Sequence, residues 1–393
     1  MRLLRIIRSA DREKGGPIEG IIQSGLALKA LEHEVEVLSL DAPDRSFQES
    51  FPLPLHCVGH GSRGYGYSRN FVPWLIRNGK TYDGVIVSGL WQYPAFGTWR
   101  AARTAGFGYW VFPHGMLDPW FKHHYPLKHL KKWLYWPWAD YRVLRDAKAV
   151  LFTTDEERLR ARKSFWLYRC HEEVVSYGTA APPDRDAEQR ANFARKVPAL
   201  AGERFLLFLG RIHPKKGCDL LIRAFAKSAA GERPLQLVIA GPDETGLGAD
   251  MRKLALELGV ADRIHWPGML QGDTKWGAFR ACEAFILPSH QENFGIAVAE
   301  ALAVGRPVLI SNKVNIWREI AADQAGFVAA NTISGTEELI SKWVTTSSMD
   351  RAAMGRNARR CFENRFEINR AAEHLLRIVT SPKNGHSMLK TDG

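Results

Sequence analysis

The stretch that most constrains the fold runs from Ala284 to Ile310. Ala284-Phe285-Ile286-Leu287 reads as a buried strand and Val308-Leu309-Ile310 as the next, and between them lie a polar loop and a helix of small residues beginning near Ile296. Two strands joined through a helix form a parallel crossover, and a parallel sheet is covered by helices on both faces. An α/β fold follows. Ligands of open α/β sheets bind outside the carboxyl ends of the strands. Glu292 falls at that end and Glu300 on the following helix. With a rise of about 1.5 Å per residue, the two carboxylates can face one cleft. Each can accept paired hydroxyl hydrogen bonds from a hexose or ribose. Gly295 lets a ligand approach the backbone, and the helix after it offers free N–H groups to an anion. Taken singly, a solvated loop glutamate and an exposed helix glutamate explain the two residues as well.

The same alternation fills both halves of the 393 residues, which predicts two domains. Leu3 to Ile7 reads as a strand, Ile18 to Leu31 as a helix and Val35 to Leu38 as a second strand. Gly15-Gly16-Pro17 lies between the first two, where backbone N–H groups can meet a phosphate. Further strands are expected at Val85–Val87, Tyr109–Phe112 and Ala149–Phe152, with Thr154 capping a helix. A linker is expected from Val174 to Arg195. The alternation restarts at Phe205–Leu209 and continues through Leu237–Gly241 and Ile264–Gly268 to Val328. Gly210-Arg211-Ile-His-Pro-Lys215-Lys216-Gly217 places cations at a helix N-terminus, a cradle for a diphosphate. Lys215 alone fits a solvated basic loop equally well.

Glu292-x-Phe294-Gly295 followed by Glu300-Ala301-x-Ala303-x-Gly305-x-Pro307-Val308 closely resembles the Glu-x7-Glu signature of retaining GT-B glycosyltransferases of family four. The resemblance covers nearly the whole chain and implies two doubly wound Rossmann-like domains facing a cleft. It implies an acceptor-binding domain at 1–180, a nucleotide-sugar domain at 181–365, a helix at 366–380 returning to the first domain, and a disordered tail at 381–393. By position, Glu292 meets the transferred sugar, with Asn293, Phe294 and Gly295 beside it, and Glu300 meets the nucleotide ribose. Arg211 and Lys216 match the family's Gly-Arg-x-x-x-x-Lys-Gly loop, which holds the diphosphate. Gly15 and Gly16 match its Gly-Gly-Pro loop, Met269 lies where members meet the base, and His114 matches the histidine that reaches the sugar from the first domain. Ser176-Tyr-Gly-Thr-Ala departs from the Asn-Gly-Val/Ile-Asp turn of many members. The resemblance implies a nucleotide sugar as co-substrate and no cofactor or metal.

Other patterns carry less. Gly59-His-Gly61-Ser-Arg-Gly64 fits G-x-G-x-x-G, but Asp83 precedes its strand instead of ending it, so a dinucleotide site is not assigned. Asp184-Arg-Asp186 spells a metal-binding string without a strand before it, and no metal is assigned. Five cysteines without a Cys-x-x-Cys pair predict a reduced, cytosolic protein, and the charged start Leu3-Leu4-Arg5 does not read as a secretory segment. The net charge of +12 points to an anionic partner. Between Lys122 and Trp138, Lys122, Lys128, Lys131 and Lys132 alternate with aromatics and no acid intervenes. That mixture suits an anionic membrane surface and a lipid-linked or saccharide acceptor, or equally a helix with a packed aromatic face. No nucleic-acid module accompanies it. A glycosidase, a UDP-sugar epimerase and a catalytically silent docking protein in polysaccharide assembly are the rival readings.

Overall fold

The computed structural model describes residues 1–12, 16–43, 48–59, 64–120, 122, 126–200, 202–228, 235–243 and 246–381. Seven parallel strands form the first sheet: β1 (Arg2–Ile7), β2 (Glu34–Ser39), β3 (Leu55–Cys57), β4 (Gly84–Ser88), β5 (Tyr109–Phe112), β6 (Ala149–Phe152) and β7 (Glu172–Val174). Six form the second: β8 (Phe205–Leu209), β9 (Gln236–Ala240), β10 (Ile264–Gly268), β11 (Ala284–Leu287), β12 (Val308–Ser311) and β13 (Gly326–Ala329). The spatial orders are β3-β2-β1-β4-β5-β6-β7 and β10-β9-β8-β11-β12-β13. Both sheets therefore reverse direction once, between β1 and β4 and between β8 and β11. Those two switch points are where a doubly wound sheet opens a crevice at its carboxyl edge.

The central strands are largely apolar because helices cover both faces, β1 being the exception with Arg2 and the buried Arg5. Leu206, Leu207, Phe208, Phe285, Ile286 and Leu309 are fully buried in the second sheet. In the first, Leu4, Val85 and Val150 pack on one side while Leu3, Ile86 and Leu151 pack on the other. The helix Ile368–Thr380 leaves the second half and returns to the first, where Ile368, Ala372, Leu375 and Val379 join Ile18, Ile21 and Leu28 of the helix Gly16–Ala30. Thr179 N donates to Phe366 O at 3.0 Å, and His374 Nδ1 accepts from Ser176 N at 3.2 Å, fastening that return.

β5, β6, β8, β10 and β11 have the bounds their sequences predict. Thr154 caps its helix, its side chain accepting from Glu157 N. The stretch from Val174 to Arg195 is not wholly a linker: Asp186–Lys196 is a helix that buries Gln189 and Phe193 against the helix Gly272–Ala281. Its surface is polar and its buried stripe is narrow, so composition concealed it. Asp186 pairs with Arg190 and with Arg280 at 3.3 Å, a helix-to-helix tie. Gly15, residues 60–63 of the glycine-rich string and residues 382–393 of the tail lie outside the described residues, as does the side chain of Lys128. All five cysteines are free thiols, and among the described residues no helix is long and apolar enough to cross a membrane.

Candidate active site

The loops at the two switch points face each other. Gly295 adopts φ +79°, a left-handed conformation that glycine tolerates without steric cost, and starts the helix Ile296–Ala303. The helix Gly16–Ala30 begins directly opposite: a methyl group placed on Gly16 would lie 3.6 Å from Ile296 Cδ1. Two helix N-termini thus converge on one space, each presenting the positive end of its dipole.

Around that space stand the charged residues singled out above. Lys216, in the turn after β8, forms an ion pair with Glu292, in the loop after β11. The backbone of Glu292 is fixed on both sides, its N–H donating to Lys313 O and its carbonyl accepting from Asn315 N, each at 3.0 Å. Arg211 is exposed in the same turn as Lys216. Glu300 is only 7 % exposed and receives Lys275 Nζ at 2.6 Å. Burial pushes its carboxyl above the ordinary range, opposed by Lys275. Met269 lines a cleft of about 240 Å³ beside Ile212, Gly241, Arg252 and Trp266, at the carboxyl ends of β9 and β10.

His114 follows β5 and approaches from the first sheet. It adopts φ +49°, rare for a non-glycine residue, and its ring stacks on Phe112 at 5.4 Å. Its Nε2 is buried and has no hydrogen-bond partner. Burial, aided by the nearby Arg5 guanidinium, depresses its pKa to about 3, so the imidazole is neutral near pH 7. A strained, neutral imidazole with an unused nitrogen is poised to bond a ligand.

Three residues of this region carry no motif. Glu157 is 3 % exposed and holds the His114 turn: its carboxylate accepts from Gly115 N at 2.6 Å and from Thr153 N and Oγ1 at 2.8 Å. Asn293 then reaches across the cleft, donating to Thr153 Oγ1 at 3.1 Å, and Gly115 faces it so closely that a β-carbon there would lie 2.9 Å from Asn293 Oδ1. Tyr177 is the second. It comes from the loop that departs from the family pattern, and its ring meets His114 at 6.2 Å and Phe294 at 5.1 Å, each edge-on. Lys215 is the third. It is half-buried, with its ammonium 4.6 Å from the ring centre of Trp120 in the other sheet's loops, and burial lowers its pKa to about 8. The solvated reading of Lys215 therefore fails. A larger groove of about 1420 Å³ opens at the amino ends of β5 and β6, lined by Trp110, Lys148 and Arg377, and contains none of the predicted site residues.

Comparisons with known proteins bear on the family and the fold. The family model for glycosyl transferases group 1 matches residues 189–361, and that for the glycosyl transferase 4-like domain matches residues 15–178. A D-inositol 3-phosphate glycosyltransferase of Streptomyces avermitilis is 27 % identical over 63 % of this chain and 55 % of its own length. An uncharacterized glycosyltransferase of Methanocaldococcus jannaschii is 35 % identical over 32 % of this chain and 31 % of its own. The matched segments thus span about a third to a half of these relatives. Among solved structures, sucrose-phosphate synthase from Thermosynechococcus elongatus superposes with a TM-score of 0.75 at 18 % identity, covering 96 % of this chain and 98 % of that one. HepE from Anabaena, in complex with UDP and glucose, superposes at 0.77 and 16 % identity, covering 97 % of this chain and all of the other. At those identities the likeness is one of fold. With both halves matched by family models and the whole chain superposing on GT-B enzymes, this protein belongs to the glycosyl transferases group 1 and has their GT-B fold.

Proposed function

We propose that the chain transfers a hexosyl group from a nucleotide diphosphate sugar to a hydroxyl acceptor, with retention of anomeric configuration. The observation that carries this reading is the convergence of two helix N-termini, at Gly16 and Ile296, beside the Lys216–Glu292 pair. Such a space favours a dense anion such as a diphosphate. Lys216 leaves Glu292 for the arriving phosphate, and Glu292 is released to accept sugar hydroxyls. Arg211, Lys216 and the Ile296 helix stabilise the charge that grows on the leaving diphosphate, a duty met here by protein cations without a metal ion. His114 Nε2 and Glu292 fix the sugar so that the acceptor approaches on the leaving-group face, where a phosphate oxygen takes its proton. Glu300 holds the ribose, and the cleft at Met269 holds the base. The UDP and UDP-glucose complexes of HepE make UDP the first base to test.

The acceptor we propose is a lipid-linked or growing saccharide of envelope or exopolysaccharide synthesis, met at the inner face of the cytoplasmic membrane. The chain's positive charge and the lysine-rich aromatic segment support it, and a structural relative, WaaG, is described as involved in lipopolysaccharide biosynthesis. The test is turnover of UDP-, GDP- and ADP-sugars in the presence of EDTA, with the product's anomeric configuration read by proton NMR. Release of one nucleotide with a retained anomer is expected. An inverted product, or no turnover with any donor and acceptor tried, counts against the reading.

A further inference from the structure

The helix Pro126–Tyr135 presents Leu127, Leu130, Trp133 and Leu134 to solvent at 78, 55, 44 and 61 % exposure, followed by Trp138 at 69 %. A second segment, the turn after Ala161, adds Trp166 and Leu167 at 50 and 45 %. The two segments are one unit. Phe165 stacks on His129 at 5.0 Å and on Trp136 at 4.6 Å, Trp136 Nε1 donates to Trp166 O at 2.8 Å, and the rings of Trp133 and Trp166 lie 6.0 Å apart. Phe165 and the fully buried Trp136 anchor the unit inside, so the apolar side chains that remain outside are not spare core residues. Leu167 is held at φ +59°, a conformation disfavoured for a bulky side chain, while exposed. That cost is retained while nearly half of the residue stays in solvent.

Around this apolar surface cations predominate, although Arg158 is paired with Asp155, Arg160 with Asp118 and Glu156, and Arg162 with Glu172. Residues 119–139 contain four lysines and no acid, and residues 158–171 contain Arg158, Arg160, Arg162, Lys163 and Arg169 and no acid. Lys122, Lys131, Lys163 and Arg169 are exposed. A second copy docking here would set the exposed cations against one another, and although Trp133, Trp138 and Trp166 offer rings to nucleobases, the four exposed leucines among them match a bilayer and not a stack of bases. Leucines and tryptophans within a ring of cations match the headgroup boundary of an anionic bilayer.

We infer that Pro126–Tyr135 and the Phe165–Leu167 turn form a two-part docking surface that inserts its leucines and tryptophans into an anionic membrane. The unit joins the candidate site directly: Lys132 lies 4.7 Å over the Trp91 ring, and Trp91 Nε1 donates to Met116 O at 3.2 Å in the His114 turn. Together with the transfer reading above, on which this step rests for its purpose, the surface brings a lipid-linked acceptor to the mouth of the cleft.

The test is co-sedimentation of the full chain with vesicles of phosphatidylcholine alone or with one quarter phosphatidylglycerol, alongside the thermal shift given by UDP. The wild type should bind the anionic vesicles more than about tenfold better than the neutral ones. Leu127→Ser/Leu134→Ser and Trp166→Ser/Leu167→Ser should each weaken that binding by at least about tenfold, since each removes two partly inserted apolar side chains, while melting temperature and nucleotide response stay unchanged. A wild type that ignores anionic vesicles, or serine variants that bind as well as it does, overturns the docking surface. So does a wild-type dimer that the serine substitutions dissociate. Vesicle binding without any nucleotide response upholds the surface and overturns the transfer reading.

Discussion

Glu157→Gln tests how the His114 turn is held. The substitution keeps the side-chain shape and exchanges one carboxylate oxygen for an NH₂ group. One oxygen of Glu157 accepts from Gly115 N and the other from Thr153 N and Oγ1. Whichever way the amide turns, its NH₂ meets a backbone N–H. Each hydrogen bond to a charged group contributes about 1.5–3 kcal/mol, and a buried unpaired donor costs about 1–3 kcal/mol. Part of this is offset, because burial raises the Glu157 pKa despite those hydrogen bonds, so a neutral side chain is easier to bury. A net loss of about 1–3 kcal/mol follows, or roughly 2–12 °C in Tm at about 2–4 °C per kcal/mol. The turn it releases carries Gly115, which faces Asn293, and His114. Misplacement of a positioned group by an ångström costs on the order of 100-fold in rate. Scanning calorimetry and donor turnover on the same preparation read both effects. A Tm within about 1 °C of the wild type, or a lowered Tm with unchanged turnover, would refute the reasoning.

Two further outcomes are expected. Arg211→Ala should slow the chemical step by more than about 100-fold with little change in donor affinity, because charge stabilisation of the leaving group is a transition-state effect; single-turnover kinetics near the wild-type rate would remove Arg211 from the mechanism. Asp140 is fully buried with one oxygen unpartnered, and burial raises its pKa to about 7 against the Trp91 N–H and Lys132. The folded state therefore keeps a proton that the unfolded chain loses near pH 4, and the stability it contributes is full below that pH and lost as pH rises through about 7. Between pH 6 and 8 this amounts to about 1 kcal/mol, which Asp140→Asn should abolish in parallel denaturation curves; an unaltered pH dependence in the variant would place the titration elsewhere.

The strands were legible because both sheets are parallel and buried, so several core strands are unbroken apolar runs, as in Phe205–Leu209 and Ala284–Leu287. The loops that follow them carry their chemistry in consecutive residues, so Glu292, Lys216 and Gly295 could be singled out by their resemblance to the family's motifs. Glu157, Tyr177 and Lys215 could not. Asn293 and Thr153 are separated by 140 residues, and Trp120 and Lys215 meet only because the two switch points face each other. Glu157 reads in sequence as one of three acids in the first turn of a helix, and only burial distinguishes it. The Asp186–Lys196 helix was missed for a related reason, its few buried residues being outnumbered by its charges.

The most direct test of the central claim is the thermal stability of the wild type and of Glu300→Gln with saturating UDP, GDP and ADP in turn. A ligand at about 100 times its dissociation constant adds about 2.7 kcal/mol to the folded state. One nucleotide should stabilise the wild type by that order, and Glu300→Gln, which melts lower alone because Lys275 loses its partner, should lose most of the increment. Stabilisation by none of the three, or an undiminished increment in Glu300→Gln, would contradict a nucleotide-sugar site built on this pair of glutamates.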